Sequence, residues 1–497
     1  MNHHVAARPP AWLLALLFVV AFAFQGTRGI WEPDEGRYSS AGIHMHENGD
    51  WLVPTVDGEH PHLTKPPLTY WALAASFALL GHHEWAARLP GALAFIATGL
   101  FVFGLGRRLC PVKPWLPPTV WALSFAPAVA SNIVSTDPIL ASFETAAMYA
   151  FVEAWSRDGA GTRRWFLAMW LAWGLAFLTK GPPGLLPLLG MVAFVAVHER
   201  RHLRPMFAPA GPVLFAVVAF TWFAVLIAQQ PDRLRYFLGY EVYDRLFTAA
   251  HDRNARWYGA IEVYLPMLLV GTLPWSAVAV VTTGGPRAAW HQWRDRLRQR
   301  RPEWLLLAYW LLVPLAVLCL ARSRLQLYVL PLFVPLALIL SRPLAHWHER
   351  SAGRFAAVVL AATVAMVAFK GTLAHWPSDR DARAIAAQLR AILDSRSIDG
   401  IVFVGMRPYF GLNVYLDVAV EGVQIGERKF EYSKYLAPED LCAEIATPER
   451  NVYAIKSHQA AKFVAAVGRC GTAASRLGTV RADGHDIELF EVVPAVR

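Results

Sequence analysis

The residues of this chain that could do chemistry are ionisable groups beside long apolar runs, where charge is costly and its presence informative. Asp34, Glu35 and Arg37 lie in WEPDEGRY, Lys65 in LTKPPL, Asp137 in STDP, Lys180 in LTKGPP, and Arg322 and Arg324 in ARSRLQL. A carboxylate with lysines and arginines at a membrane surface suits displacement of a phosphate leaving group. The carboxylate takes a proton from an acceptor hydroxyl, and the cations neutralise charge on the departing phosphate. Each residue also has a plainer reading: Asp34 and Glu35 satisfy a helix N-terminus, and the lysines and arginines anchor to lipid headgroups. Outward cations that run against the usual charge bias make the chemical reading the better one for the set.

Pro33 followed by two acids predicts the first turn of a helix running to about Glu47, with Asp34, Arg37, Tyr38 and Ala41 along one face. Metal ligation is weakly indicated. Glu59, His60 and His62, the pairs His44/His46 and His82/His83, and His251 could serve a divalent ion such as Zn or Mg, but none has a strong ligand spacing.

The elements that must position these groups are mostly membrane spans. Of the 497 residues 55% are hydrophobic and only 17% charged, against about 25% in soluble proteins, and the chain carries 20 Trp and a formal charge of +10. Mean hydropathy is +0.33. Apolar runs at 11–25, 89–106, 115–131, 138–155, 165–179, 182–197, 211–228, 260–281, 303–320, 325–341 and 355–371 give eleven candidate spans, within a range of about 11–13. The first reads as a retained anchor rather than a cleaved signal peptide, because many spans follow.

With the N-terminus cytoplasmic, Arg107/Arg108/Lys113, Arg157/Arg163/Arg164, Arg200/Arg201/Arg204, the run RDRLRQRR and Arg342/Arg350/Arg354 all fall inside. The stretch 66–81 would reverse every later loop if it crossed, so it is read as interfacial or re-entrant. The candidate residues then share the outer face, and residues 372–497 lie outside the cytoplasm.

Two domains are expected: a membrane part, 1–371, whose first outer loop 26–88 carries the acidic motif, and a small extracytoplasmic α/β domain, 372–497. In the latter, DRDARAIAAQLRAIL has helical periodicity, and IVFVG, VYLDVAV and IELFEVV read as strands. Cys442 and Cys470 could pair in an oxidising compartment or remain two thiols. The exposed parts hold no P-loop and no GxGxxG motif, so a soluble nucleotide donor is not indicated, and the basic excess is explained by cytoplasmic loops without nucleic acid.

PDEGRY, NGDWLVPTVDGE and KPPLTYW, in that order and spacing, resemble the first outer loop of the GT-C glycosyltransferases related to lipid A aminoarabinose transferase and protein O-mannosyltransferases. ARLPGAL, STDPILASF, FLTKGPPGLLP, the block WYGAIEVYLPMLLVGTLPWS and SRLQLYVLPLFVPLAL extend the resemblance over roughly 1–345. It implies inverting transfer of a sugar from a polyprenyl-phosphate donor such as undecaprenyl phosphate to a lipid or protein acceptor on the periplasmic face of a bacterial inner membrane.

By the resemblance Asp34 matches the catalytic carboxylate, Arg37 an active-site arginine, Lys65 the donor-phosphate lysine, Asp137 a second active-site aspartate and His251 a histidine of a later outer loop. Arg324 stands where relatives often carry a lysine that meets phosphate. Thr64 replaces a glutamate that shares zinc with the histidine in aminoarabinose transferases, which argues against zinc and against that sugar. Gln326 replaces a usual proline.

The rival readings are a transporter or lipid-linked-sugar flippase and a non-catalytic relative that binds polyprenyl phosphate. A transporter would place its polar groups near the midplane, whereas these cluster on one face.

Overall fold

The computed structural model describes residues 8–157, 161–244, 254–393, 396–424 and 441–494. They form two compact units: residues 1–23, 64–69 and 90–372, and residues 24–63, 70–89 and 373–497.

The first unit is helical. Five helices among the described residues are long and apolar enough to cross a membrane: Glu84–Leu109, Ala210–Gln229, Pro302–Leu320, Gln326–Arg350 and Ala352–Ala374. Two bent pairs, Pro182–His198 with Arg200–Met206 and Gly259–Gly271 with Trp275–Thr283, raise the number to seven if each is one span. Ala11–Phe22 and Leu68–Leu80 are shorter apolar helices. The helices Asp137–Trp155 and Gly161–Lys180 carry Asp137, Glu144 and Lys180 and pack against each other. The chain is thus a multi-pass helical membrane protein.

Proline explains where apolar runs read as single spans divide. The run 115–131 becomes Leu116–Ala122 and Phe125–Ala130, because Pro127 fits only the first turn of a new helix. The run 260–281 bends by 74° at Thr272–Pro274 for the same reason. Trp173, Trp275, Trp310, Phe151, Phe194 and Phe333 fill the interior.

Small residues bring helices close, and a Cβ on Gly190 would stand 2.5 Å from the Tyr309 carbonyl oxygen. The last span is pinned by charge. Lys370 donates to the Val20 carbonyl (2.5 Å), Ser131 Oγ (3.0 Å) and Asn132 Oδ1 (2.5 Å), so a buried ammonium ties three helical segments together.

The second unit contains a five-stranded mixed sheet in the order β2-β1-β3-β5-β4. Its strands are β1 (Gly400–Val404), β2 (Ala419–Val423), β3 (Asn451–Lys456), β4 (Thr472–Ala482) and β5 (His485–Pro494). β1 pairs in parallel with β2 and β3, and β5 is antiparallel to β3 and β4.

The β4–β5 hairpin turns on Asp483–Gly484, both at positive φ, the conformation that an Asp-Gly pair favours. The helix Ala382–Leu393 buries Ala382, Ile385, Ala386, Leu389 and Leu393, the stripe its periodicity predicts. Cys442 and Cys470 form a disulfide with Cα atoms 5.3 Å apart. IVFVG and IELFEVV become β1 and most of β5. VYLDVAV instead runs from a 3-10 turn, Phe410–Val414, through a bend, and enters β2 only at Ala419.

Candidate active site

In the second unit, Asp34 is the first residue of the Asp34–Glu47 helix. Its side chain is 64% exposed, and Arg37, one turn on, holds Oδ1 at 2.7 Å. The Arg37 guanidinium lies 5.3 Å from the Tyr38 ring, which restricts its orientation. A solvent-facing carboxylate thus sits at the positive end of a helix in which Tyr38, Ser39, Ala41, Gly42, Ile43 and Met45 are buried.

Glu35 points the other way and is 4% exposed. Arg28 grips both oxygens at 2.8 Å, Arg88 Nη2 lies 3.0 Å from Oε2, and the Trp31 N–H donates at 2.9 Å. Arg88 also donates to the carbonyls of Gln25, Arg28 and Gly29. Burial pushes the Glu35 carboxyl up, but the two guanidiniums outweigh it and hold the group well below the usual carboxylate range. Grouping Glu35 with the catalytic acids therefore needs correction: its oxygens are saturated by a buried scaffold that fixes the turn carrying Asp34. The partners are 7 and 53 residues away, and only Arg88, inside the ARLPGAL motif, left a sequence trace.

In the first unit, Asp137 opens the Asp137–Trp155 helix and Lys180 closes the Gly161–Lys180 helix. They form a buried ion pair. Lys180 Nζ lies 4.3 Å from the Tyr328 ring. Glu144, two turns below Asp137 and 2% exposed, leaves Oε2 without a hydrogen-bond partner among the described residues. Sequence reasoning missed Glu144 because nothing about its spacing separates it from an ordinary helix acid.

Lys65 lies half-buried in a bend, and Arg322 is exposed. Arg324 is 4% exposed and directed at backbone: Nη1 donates to the carbonyls of Asn254 (2.7 Å) and Arg256 (2.9 Å), and Nη2 to that of Cys319 (3.0 Å). Its terminal donors brace the 254–256 segment, while its Nε has no hydrogen-bond partner among the described residues.

Glu59 is exposed, and His62 is buried with its ring 6.2 Å from Tyr70. His251 lies outside the described residues. Among the described residues no three His, Cys, Asp or Glu side chains gather as ligands for an ion. Thr64, at the position the resemblance gives to a carboxylate ligand, carries no metal-binding carboxylate.

Comparison with known proteins agrees with the class this architecture defines. Residues 64–240 match the family described as dolichyl-phosphate-mannose-protein mannosyltransferase. The chain is 31% identical over 336 residues to the undecaprenyl phosphate-alpha-4-amino-4-deoxy-L-arabinose arabinosyl transferase of Edwardsiella ictaluri, covering 66% of this chain and 58% of that protein. A Sodalis glossinidius protein of the same description is 32% identical over 340 residues, covering 66% and 58%. The chain thus spans a little under three-fifths of the length of the curated relatives it matches. The crystal structure of ArnT from Cupriavidus metallidurans bound to undecaprenyl phosphate superposes with a TM-score of 0.73 at 19% identity, covering 96% of this chain and 97% of that one.

By fold the chain is a GT-C membrane protein. By sequence and structure together it is ArnT-like and PMT-like, resembling the aminoarabinose and protein mannosyl transferases.

Proposed function

We propose that the protein is a membrane glycosyltransferase that moves a sugar from a polyprenyl-phosphate donor, of the undecaprenyl kind, to a hydroxyl on an extracytoplasmic acceptor. The observation that carries this reading is Asp34: an accessible carboxylate, oriented by Arg37, on a turn made rigid by the saturated Arg28–Glu35–Arg88 cluster. The relatives' descriptions, which name undecaprenyl-phosphate aminoarabinose and dolichyl-phosphate mannose, support a lipid-phosphate donor.

In the proposed reaction the acceptor oxygen attacks the anomeric carbon as its proton passes to Asp34. The bond from that carbon to the phosphate oxygen breaks, and the electron pair leaves with the lipid phosphate. One displacement inverts the anomeric centre. Lys65, Lys180 and Arg322 supply positive charge for the departing phosphate, and Asp137 sets the orientation of Lys180 through their ion pair. Glu35, Arg28, Arg88 and Arg324 are positioning residues.

The reading places the protein in a bacterial inner membrane with a cytoplasmic N-terminus, and the 26–88 loop and the 372–497 domain in the periplasm, where the Cys442–Cys470 disulfide is stable. The acceptor is lipid A, another envelope glycolipid or a protein.

The test is mass spectrometry of envelope glycolipids and glycoproteins from cells lacking the protein, complemented with wild type or Asp34→Asn. A sugar-sized mass that returns with wild type and falls by about 10²–10⁴-fold with correctly inserted Asp34→Asn supports the assignment. Equal restoration by both would sink it. A lipid-linked intermediate that changes sides with no change in any glycan would favour a flippase.

A further inference from the structure

The turn leading into the Asp34 helix carries a second buried acid that the proposed chemistry does not use. Glu32 is 4% exposed. Its Oε1 accepts the Gly411 N–H at 2.5 Å, its own N–H donates to the Arg380 carbonyl at 2.9 Å, and Oε2 is buried with no hydrogen-bond partner among the described residues. Glu35, three residues on, is gripped by two guanidiniums; Glu32 is gripped by none among the described residues.

The approach is close on both sides. A Cβ added to Gly36 would collide with both Glu32 oxygens, and one added to Gly411 would stand 2.6 Å from Oε1. Neighbouring contacts repeat the pattern. The Ile30 N–H donates to the Tyr415 hydroxyl at 2.9 Å, and Asn413 Nδ2 donates to Ser40 Oγ at 2.7 Å and lies 3.0 Å from His44 Nε2. Within this unit the segment 409–415 therefore holds the helix at its start and its middle.

We propose that Glu32 is a positioning residue through which the 409–415 segment of the C-terminal domain fixes the first turn of the Asp34–Glu47 helix and so aims the Asp34 carboxylate. The functional part of this inference rests on the reading of Asp34 as the base; the structural part does not.

An apolar residue would fill the same space without leaving an oxygen unpartnered, so a carboxyl here serves the contact to the Gly411 amide. Burial pushes Glu32 up to about 8, against the backbone hydrogen bond from Gly411 and the charges of Arg407 and Arg37, which lower it; Glu35 adds to the rise and the Tyr409 hydroxyl also faces the group. The sign follows. Between its ordinary value and about 8 the folded chain holds a proton that the unfolded chain has released, so this group's contribution to stability falls as pH rises across that window. Above it, a charged carboxylate occupies a site built for a neutral one, and the link to 409–415 loosens.

Hydrogen exchange of the full chain in detergent, followed by mass spectrometry and corrected for intrinsic rates, tests the proposal at pH 7 and pH 9. In wild type the amides of 38–44 should exchange faster at pH 9. Glu32→Ala should raise their exchange at pH 7 by about tenfold, the scale of a local opening made easier by one lost link. Glu32→Gln should stay near wild type at pH 7 and lose the rise at pH 9. Gly411→Ala, which keeps the acid and presses on it from the opposite side, should loosen the same amides and serves if Glu32→Ala does not fold.

Unchanged exchange in both Glu32→Ala and Gly411→Ala, or a pH response retained by Glu32→Gln, overturns the proposal. Sugar transfer, read as the envelope mass difference, should fall about tenfold in Glu32→Ala and recover in Glu32→Gln. If exchange responds as stated while Asp34→Asn keeps full transfer, the link stands and the base assignment fails. If Asp34→Asn is inactive and exchange does not respond, the link alone fails.

Discussion

Two buried ion-pair sites, one in each unit, are built on opposite plans. Around Glu35, two guanidiniums and a backbone N–H converge on a single carboxylate, and Arg88 uses its remaining donors on three carbonyls. Around Lys180, the ammonium pairs with Asp137 and lies against the Tyr328 ring, and nearby Glu144 keeps an oxygen without a hydrogen-bond partner among the described residues. A saturated cluster can only hold shape, because any ligand would first have to break a buried charge-assisted bond. An acid with an unpartnered oxygen, as Glu144 has among the described residues, keeps capacity for another polar group. Scaffold and chemistry are therefore distinguishable by how fully each polar atom is partnered, though both sites are buried and both contain acids and bases.

The largest effect should come from breaking the saturated site. Arg88→Met leaves the buried Glu35 charge with Arg28 alone and strands three carbonyls. A loss of about 3–5 kcal/mol is expected, read as a lower thermal midpoint in detergent and poor recovery of inserted protein. A midpoint close to wild type would mean that the cluster is not what holds the turn.

Lys180→Met should do the reverse. Sugar transfer is expected to fall about 10–100-fold, as one cation is lost from a developing phosphate charge, while the midpoint moves less than in Arg88→Met. If Lys180→Met destabilised the protein as much as Arg88→Met, the Asp137–Lys180 pair would be scaffold too, and the comparison would collapse.

The sequence showed the turn that carries Asp34 better than its supports, for a physical reason. The Asp34–Glu47 helix was legible because its signals are local: Pro33, two acids in the first turn and a repeating buried face. The inward turn of Glu35 was not, since an acid at a helix N-terminus satisfies the dipole equally well facing either way, and its two arginine partners lie 7 residues back and 53 residues on. Arg324 misled for the same reason. Its motif context suggested phosphate, while its carbonyl partners at Asn254 and Arg256 lie about 70 positions away.

Domain grouping was the largest gap. The 24–63 and 70–89 segments form one compact unit with 373–497 through hydrogen bonds such as Glu32 to Gly411, which spans 379 positions and has no periodicity to betray it. Strands with β-branched or alternating runs, β1 and β5, were readable. β3 and β4 were not singled out, although Asp483–Gly484 between β4 and β5 carries a strong hairpin signal.

The smallest expected effect sharpens the comparison most. Glu144→Gln keeps the side chain's shape and replaces the unpartnered oxygen region with an amide, in a helix interior where Lys180 and Asp137 are the neighbouring charges. Because that oxygen has no hydrogen bond to lose, stability should change by less than about 1 kcal/mol, within the range of a single neutral hydrogen bond. Sugar transfer should then report whether Glu144 tunes Lys180. A modest change in transfer at constant midpoint would make it a positioning residue for that lysine. A midpoint that drops as far as in Arg88→Met would mean that Glu144 is bound as tightly as Glu35, so that the degree of partnering no longer separates the two sites.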